Sequence, residues 1–380
     1  MNGIGIICEL NPPHAGHKLL FDFAREKADG RAVVAVMSGN FVQRGEPAVF
    51  QKHQRTAAAL NAGVDLVLEL PAPFALSSAD GFAAAAVQLF AATGVVETLV
   101  FGAENGDLAL LRRVAEALER PENAEQLRAE LKNGHSYARA CQLALEATLG
   151  AEASALDKPN NMLGIQYLRA INECGVSMEA VCLKREPGLT ASGLRRELQS
   201  GVKAPYGLIP ADYGEPVFPD NLELAMLSRL RILPESVFFD TPGGTDGIAE
   251  RAVRFCAGAG DVAELARLIK TKRHTLSRVR RYLMCLVLGI KNPPGVPGVC
   301  PASPQYIRIL GANATGFELL KSMDATLPII TKPADGRKLG GEVTKLLELE
   351  AAATDFYNLG YASPEKRRGG AEWKTSIVRM

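Results

Sequence analysis

Two histidines lie three residues apart in the segment Cys8-Glu9-Leu10-Asn11-Pro12-Pro13-His14-Ala15-Gly16-His17. Ahead of them, the apolar run Ile4-Gly5-Ile6-Ile7 predicts a buried first strand. Behind them, Lys18-Leu19-Leu20-Phe21-Asp22-Phe23-Ala24-Arg25 has the pattern of a helix. Strand, Pro/Gly loop and helix start together make an anion-binding arrangement, because free backbone N–H groups and the helix dipole face the ligand. Imidazole donors fixed there suit a phosphoryl transition state, whose oxygens gain charge as a polyanionic group departs. Gly16 lets the backbone approach a phosphate where a Cβ would collide. A short His-x-Gly-His string also arises by chance as a pair of surface histidines. Its place between a first strand and a helix favours the chemical reading.

Such a pair needs a rigid frame. Residues 32–37, 64–70, 98–101 and 178–183 predict four more strands, with helices at 56–62, 79–92 and 162–171 and a helical excursion over 107–149. Short apolar strands between helices imply an α/β fold: a Rossmann-like parallel sheet covered on both faces. Ligands in such sheets bind at the carboxyl ends of the strands. His14, His17, Ser38-Gly39-Asn40 and Gly102-Ala103-Glu104 all follow predicted strand ends and so should converge on one crevice. After about Gly201 the alternation stops. Residues 222–232, 246–257, 261–270, 275–289, 303–311, 314–323 and 340–358 all predict helices, and clusters of Pro and Gly at 241–244 and 291–298 predict loops. The expected division is a nucleotide-binding part over 1–200, a mostly α-helical part over 201–362, and a basic flexible tail over 363–380 carrying Lys366-Arg367-Arg368.

Further candidate groups lie on the predicted loops. In the segment 38–47, Ser38, Asn40, Gln43 and Arg44 could form a substrate loop, with Lys52 and Arg55 supplying charge for a phosphate or carboxylate; a solvated connection is the plainer alternative. Gly102 would let a base or ribose lie against the backbone. Asn160 and Asn161 can cap a helix and read a base or ribose edge. Arg185 ends the fifth strand, and Thr190, Ser192 and Arg195 open a helix in a way that suits β- and γ-phosphates. An N-cap beside a surface arginine would look the same. Residues 270–281 are the densest basic run, in which Lys272, Arg273, Arg278 and Arg281 could meet a nucleic-acid backbone or simply be solvated.

Composition narrows the classes. The 380 residues are 47% hydrophobic and 22% charged, enough for a large core. The net charge of +1 supplies no overall field for RNA, so any RNA contact must come from a local patch. Seven scattered cysteines without a C-x-x-C pair predict reduced thiols of a cytoplasmic protein, with neither a disulfide frame nor a zinc site. The chain enters a strand almost at once, which argues against a signal peptide, and no apolar run approaches the length of a membrane span. No protein metal site is expected.

The His-x-Gly-His segment resembles that of nucleotidyltransferases and class I synthetases. Taken in order, segments 5–17, 38–47, 63–71, 101–104, 158–164, 190–195, 272–281, 306–311 and 355–357 together resemble the bacterial tRNA(Met) cytidine acetate ligases. That resemblance implies activation of acetate by ATP to acetyl-adenylate, then acetylation of N4 of the wobble cytidine in elongator tRNA(Met). It implies ATP contacts from residues 7–20, Gly102, Asn161 and Arg185. ATP is then a co-substrate, Mg²⁺ would arrive with its phosphates, and the oligomeric state is left open. The chain departs from the family in a short connection from Arg185 to Thr190, and Thr190 and Ser192 stand where relatives carry serine and threonine. Two other readings keep the same core: a small-molecule adenylyltransferase of cofactor synthesis, and a nucleotide-dependent RNA-binding protein without catalysis. Pyrophosphate release, and what it depends on, separates the three.

Overall fold

The computed structural model describes residues 1–186, 190–202, 208, 213–292 and 303–380. Along the chain, β1 (Gly3–Cys8) leads to α1 (Ala15–Ala28), β2 (Ala32–Ser38), a hairpin of β3 (Phe41–Val42) and β4 (Glu46–Pro47), α2 (Lys52–Asn61), β5 (Leu66–Leu70), α3 (Ala72–Ala75), α4 (Ala79–Thr93) and β6 (Val96–Ala103). The helical excursion comprises α5 (Leu108–Glu119), α6 (Pro121–Lys132) and α7 (Tyr137–Leu149), after which come α8 (Pro159–Cys174), β7 (Glu179–Lys184) and α9 (Ala191–Gln199). Then follow α10 (Glu223–Ile232), α11 (Glu235–Phe239), α12 (Ile248–Cys256), α13 (Val262–Ile269) and α14 (Leu276–Leu288). The chain closes with β8 (Ile307–Ala312), α15 (Ala314–Ser322), β9 (Ile329–Ile330), α16 (Pro333–Gly336), α17 (Gly341–Asn358), α18 (Ala371–Lys374) and β10 (Val378–Arg379).

The main sheet runs β10-β8-β5-β2-β1-β6-β7, with β9 paired to β8. All of its pairs are parallel except β5 with β8. Strand residues alternate between faces. Ile4, Ile6, Val33 and Met37 pack with Phe21 and Ala24 of α1 and Leu60 of α2. Ile7, Val34, Val36 and Leu68 pack on the other face with Phe82 and Phe90 of α4 and Ile165 of α8. A Cβ at Gly5 would lie 2.8 Å from the Phe90 ring, so the absent side chain sets how closely α4 approaches β1. A third core joins α10, α12, α13, α14 and α17, and it includes Phe41 of β3 and Ala72 of α3. The helical half is therefore seated on the β3–β4 hairpin.

From β1 the chain lays down β2 and β5 on one side, then returns to place β6 and β7 on the other. Between β1 and β6 the winding reverses, the point beyond the strands' carboxyl ends where open sheets of this kind bind ligands.

Three expectations fail. Residues 303–311 do not form a helix: Ile307–Ala312 is a fully buried strand. The run Ile307-Arg308-Ile309-Leu310 is too short and too apolar for periodicity to separate a buried strand from a buried helix. The sheet therefore does not end near residue 201, since β8, β9 and β10 all belong to it. Nor is 363–380 a mobile tail. Val378–Arg379 pairs with β8, Glu372 of α18 is buried against Lys52, and the Arg337 guanidinium lies 3.7 Å from the centre of the Trp373 ring. Lys366, Arg367 and Arg368 stay exposed, while Arg367 donates to the Tyr361 carbonyl at 2.6 Å. The predicted 291–298 loop lies mostly outside the described residues.

Candidate active site

His14 is the N-cap of α1, in extended conformation, and its Nδ1 accepts the Gly16 N–H at 3.0 Å. Nδ1 of His17 accepts the His14 N–H at 3.2 Å. The two imidazoles thus perform the reciprocal capping usually done by a hydroxyl and a carboxylate. Their ring centres are 3.9 Å apart. Burial lowers the pKa of His14 to about 4, helped by the Arg185 cation. Burial, then His14, then Arg185 push His17 well below the ordinary range. Both rings are therefore neutral near pH 7. With each Nδ1 accepting, the proton of each sits on Nε2, so the pair offers two N–H donors. The first turn of α1 holds no acid to repel an anion from the positive end of the helix dipole. Gly16 has an additional role: a Cβ there would lie 2.9 Å from the His14 ring.

The loop between β1 and α1 is held from below. Arg55 donates to the carbonyls of Phe50 at 2.8 Å and Glu9 at 2.5 Å, and also to that of Gly39. Asn11 accepts the Val49 N–H at 2.8 Å through its side chain. Arg195 donates to the Asn11 carbonyl at 2.7 Å and to Ser192 Oγ at 3.1 Å, tying α9 to the histidine loop. The Glu9 carboxylate accepts the Gln43 N–H at 2.7 Å and lies 3.4 Å from Ser38 Oγ. Burial raises its pKa, against the pull of the Gln43 amide and Arg55.

The 38–47 segment is mostly not a loop of free polar groups. Asn40 is buried, accepting the Lys52 N–H at 2.9 Å and donating to Thr354 at 3.2 Å. Lys52 and Arg55 are fully buried and cannot neutralise an incoming anion. Lys52 instead pairs with Glu69 at 2.7 Å and Glu372 at 2.9 Å. Of the four residues expected to face substrate, Arg44 is exposed, Gln43 is half-buried and Ser38 is buried.

Across the crevice, Gly102 lies beside Arg185: a Cβ on it would sit 3.2 Å from Arg185 Cγ. Arg185 is exposed and reaches Asn160 at 3.4 Å. Asn161 is fully committed. Its Oδ1 accepts the Glu104 N–H at 2.9 Å and its Nδ2 donates to the Ala155 carbonyl at 3.1 Å. The cap of α8 is Glu104, which accepts the N–H groups of Asn160 at 3.2 Å and Asn161 at 2.8 Å. Sequence reading missed this, because an acid 56 residues away carries no local signal. Thr190 caps α9 by accepting the Gly193 N–H at 3.1 Å. Residues 187–189 of the shortened connection lie outside the described residues.

The basic run does not form one free patch. Arg278 pairs with Asp246 at 2.9 Å, Arg280 with Glu46 at 2.5 Å, and Arg273 donates to the Lys132 carbonyl at 3.0 Å. Arg281 donates to the Gln43 carbonyl at 3.3 Å. Lys272 and Arg273 remain exposed. Among the described residues, no cluster of three or more His, Cys, Asp or Glu is arranged to hold a metal ion. No helix there is long and apolar enough to cross a membrane.

The arrangement can bind a polyphosphate at the α1 N-terminus and stabilise charge on a phosphoryl group. Its likeness to known proteins is extensive. A Syntrophomonas wolfei protein named tRNA(Met) cytidine acetate ligase is 34% identical, the match covering 99% of each chain. The Thermotoga maritima protein of the same name is 35% identical over 95% of this chain and 96% of its own. The crystal structure of Thermotoga maritima TmcAL bound with alpha-thio ATP aligns over the full length of both chains with a TM-score of 0.90 at 32% identity, and its apo form with 0.91 at 31%. Residues 1–203 and 206–372 match the family described as HIGH nucleotidyl transferase. The chain belongs to that family and, within it, to the tRNA(Met) cytidine acetate ligases.

Proposed function

We propose that the protein is an ATP-dependent ligase that makes acetyl-adenylate and acetylates N4 of the wobble cytidine of elongator tRNA(Met). The carrying observation is the pair of imidazoles at the N-terminus of α1, each with Nδ1 engaged by a backbone N–H and Nε2 left to donate, in a chain with full-length likeness to named ligases. In the first step an acetate oxygen attacks the α-phosphorus and pyrophosphate leaves. His14 and His17 donate to the oxygens that gain charge, with no reorganisation of the site. In the second step the cytidine amine attacks the acetyl carbonyl, AMP departs and the amine loses a proton. Acetate is an unreactive acyl donor and the amine a poor nucleophile, so activation and positioning supply the rate.

ATP lies along the histidine loop, with its ribose and base against Gly102 and its charge met by Arg185 and the 190–195 turn. Asn161 shapes this wall through its main-chain contacts. Glu9 and Glu104 are engaged by backbone amides, which fits an Mg²⁺ ion carried by the phosphates and their waters rather than by a protein cage. When bound, that ion supplies counter-charge to the polyphosphate. The exposed Lys272 and Arg273 are the first candidates for tRNA phosphates. The test is incubation with labelled acetate, ATP and total bacterial tRNA. Expected are label in tRNA and pyrophosphate release that requires acetate, both abolished by excess EDTA. Pyrophosphate release that instead requires a small phosphorylated acceptor would overturn the assignment.

A further inference from the structure

Arg281 lies in the densest basic run, yet its guanidinium turns inward to the β3–β4 hairpin. It donates to the Gln43 carbonyl at 3.3 Å, and the N–H of the same residue donates to Glu9 at 2.7 Å. The Gln43 main chain is thus gripped by α14 on one side and by the histidine loop on the other. Two further contacts press the hairpin onto α14. Gly45 has a φ of +75°, and a Cβ on it would collide with the main chain of Arg280 and Arg281. Arg280 pairs with Glu46 at 2.5 Å. Glu9 is followed by Leu10, with a φ of 50°, and then by the residues that lead into His14. Arg195 shares this surroundings, since Glu46, Arg44 and Glu9 all act on its charge.

We propose that Arg281 is a positioning residue for nucleotide activation. It holds the hairpin and, through Gln43 and Glu9, sets the loop that carries His14 and His17. It touches no reacting atom. The helix that bears the basic run is thereby tied mechanically to the site of adenylate formation. This rests on the adenylating function proposed above for its kinetic readout, but not for its binding readout.

The experiment compares wild type, Arg281→Met and Arg281→Lys without tRNA. It measures ATP affinity by calorimetry, acetate-dependent ATP–pyrophosphate exchange per folded molecule, and the thermal midpoint. For Arg281→Met the expected result is weakened ATP binding and exchange slowed by about 10- to 10²-fold, the size seen when remote changes misplace reacting groups. Arg281→Lys should recover part of both. Wild-type affinity and exchange in the Met variant would overturn the proposal. A loss that only tracks the unfolded fraction, with unchanged ATP affinity and no recovery by lysine, would overturn it too. If wild type itself shows no acetate-dependent exchange, the ligase reading fails. ATP affinity then decides by itself: weakened binding in the Met variant upholds the positioning role and unchanged binding ends it.

Discussion

His14 and His17 are capping groups and, in the proposed reaction, donors to the phosphoryl group as well. Each engages Nδ1 with a backbone N–H, which leaves Nε2–H as a donor. Their replacements should therefore divide by what they keep. Replacing either with Ala removes one preorganised donor and should lower turnover by about 10²–10³-fold. The lost cap should cost a further ~1 kcal/mol of stability. Asn can restore a cap at residue 14 without placing a donor where Nε2 stood, so His14→Asn should recover stability and not rate. Single-turnover adenylation alongside urea unfolding checks this. Equal rates for wild type and the Ala variants would remove the histidines from the chemistry.

At the next level, the β1–loop–α1 unit was readable because its physics is local: an apolar strand, a Pro/Gly break and a helix start lie within adjacent residues. The converging strand ends were readable for the same reason, through a general rule of parallel sheets. Asn40 and Lys52 were misread because decisive partners are distant, and Arg55 because its partners are backbone carbonyls, which no side-chain pattern reveals. Thr354 and Glu372 lie more than 300 residues from the side chains they meet. Sequence read in windows treats such residues as solvated or ligand-facing. Arg308 shows the converse: it is wholly buried in a strand that periodicity gave to a helix. The hairpin offers a direct test of element packing. Gly45→Ala puts a Cβ into left-handed backbone and against α14, and should cost more than ~1–2 kcal/mol. The denaturation midpoint measures it. An unchanged midpoint would mean that the hairpin and α14 can separate freely.

The two halves of the chain are locked by a buried charged cluster. Lys52 of α2 meets Glu69 of β5 and Glu372 of α18, while Glu350 of α17 accepts the Ala72 N–H at 2.5 Å. Removing one partner leaves a buried charge uncompensated, so Glu372→Ala should cost about 3–5 kcal/mol. Burial, then Glu69, raises the Glu350 pKa from 4.5 to about 8. Over that window the folded state holds a proton that the unfolded chain releases. Stability must then fall as pH rises, by at most about 1.4 kcal/mol per unit from this group. His14 and His53 act in the opposite sense, losing stability as pH drops below their unfolded value of 6.5. The histidines drop out above pH 6.5, so the window for Glu350 is pH 6.5 to 8, where the raised carboxyls of Glu9 and Glu69 act in the same sense. There Glu350→Gln should flatten the decline seen in unfolding by urea. An identical slope in wild type and variant would place the proton elsewhere.

The antiparallel seating of β8 beside β5 has a consequence for synthesis. During translation, β5 leaves the ribosome more than 230 residues before the strand that covers its outer edge. Until residues 307–312 emerge, that edge is a bare row of amides and carbonyls beside an apolar face, the surface that invites wrong pairing. The charged cluster beneath it is equally unfinished, because Lys52 waits for Glu372. A cell that makes this protein must shelter a half-built sheet for the time taken to read most of its message. Ribosome-stalled chains ending before residue 307 should accordingly be held by chaperones and degraded when released. Chains stalled with residue 380 clear of the exit tunnel should resist protease.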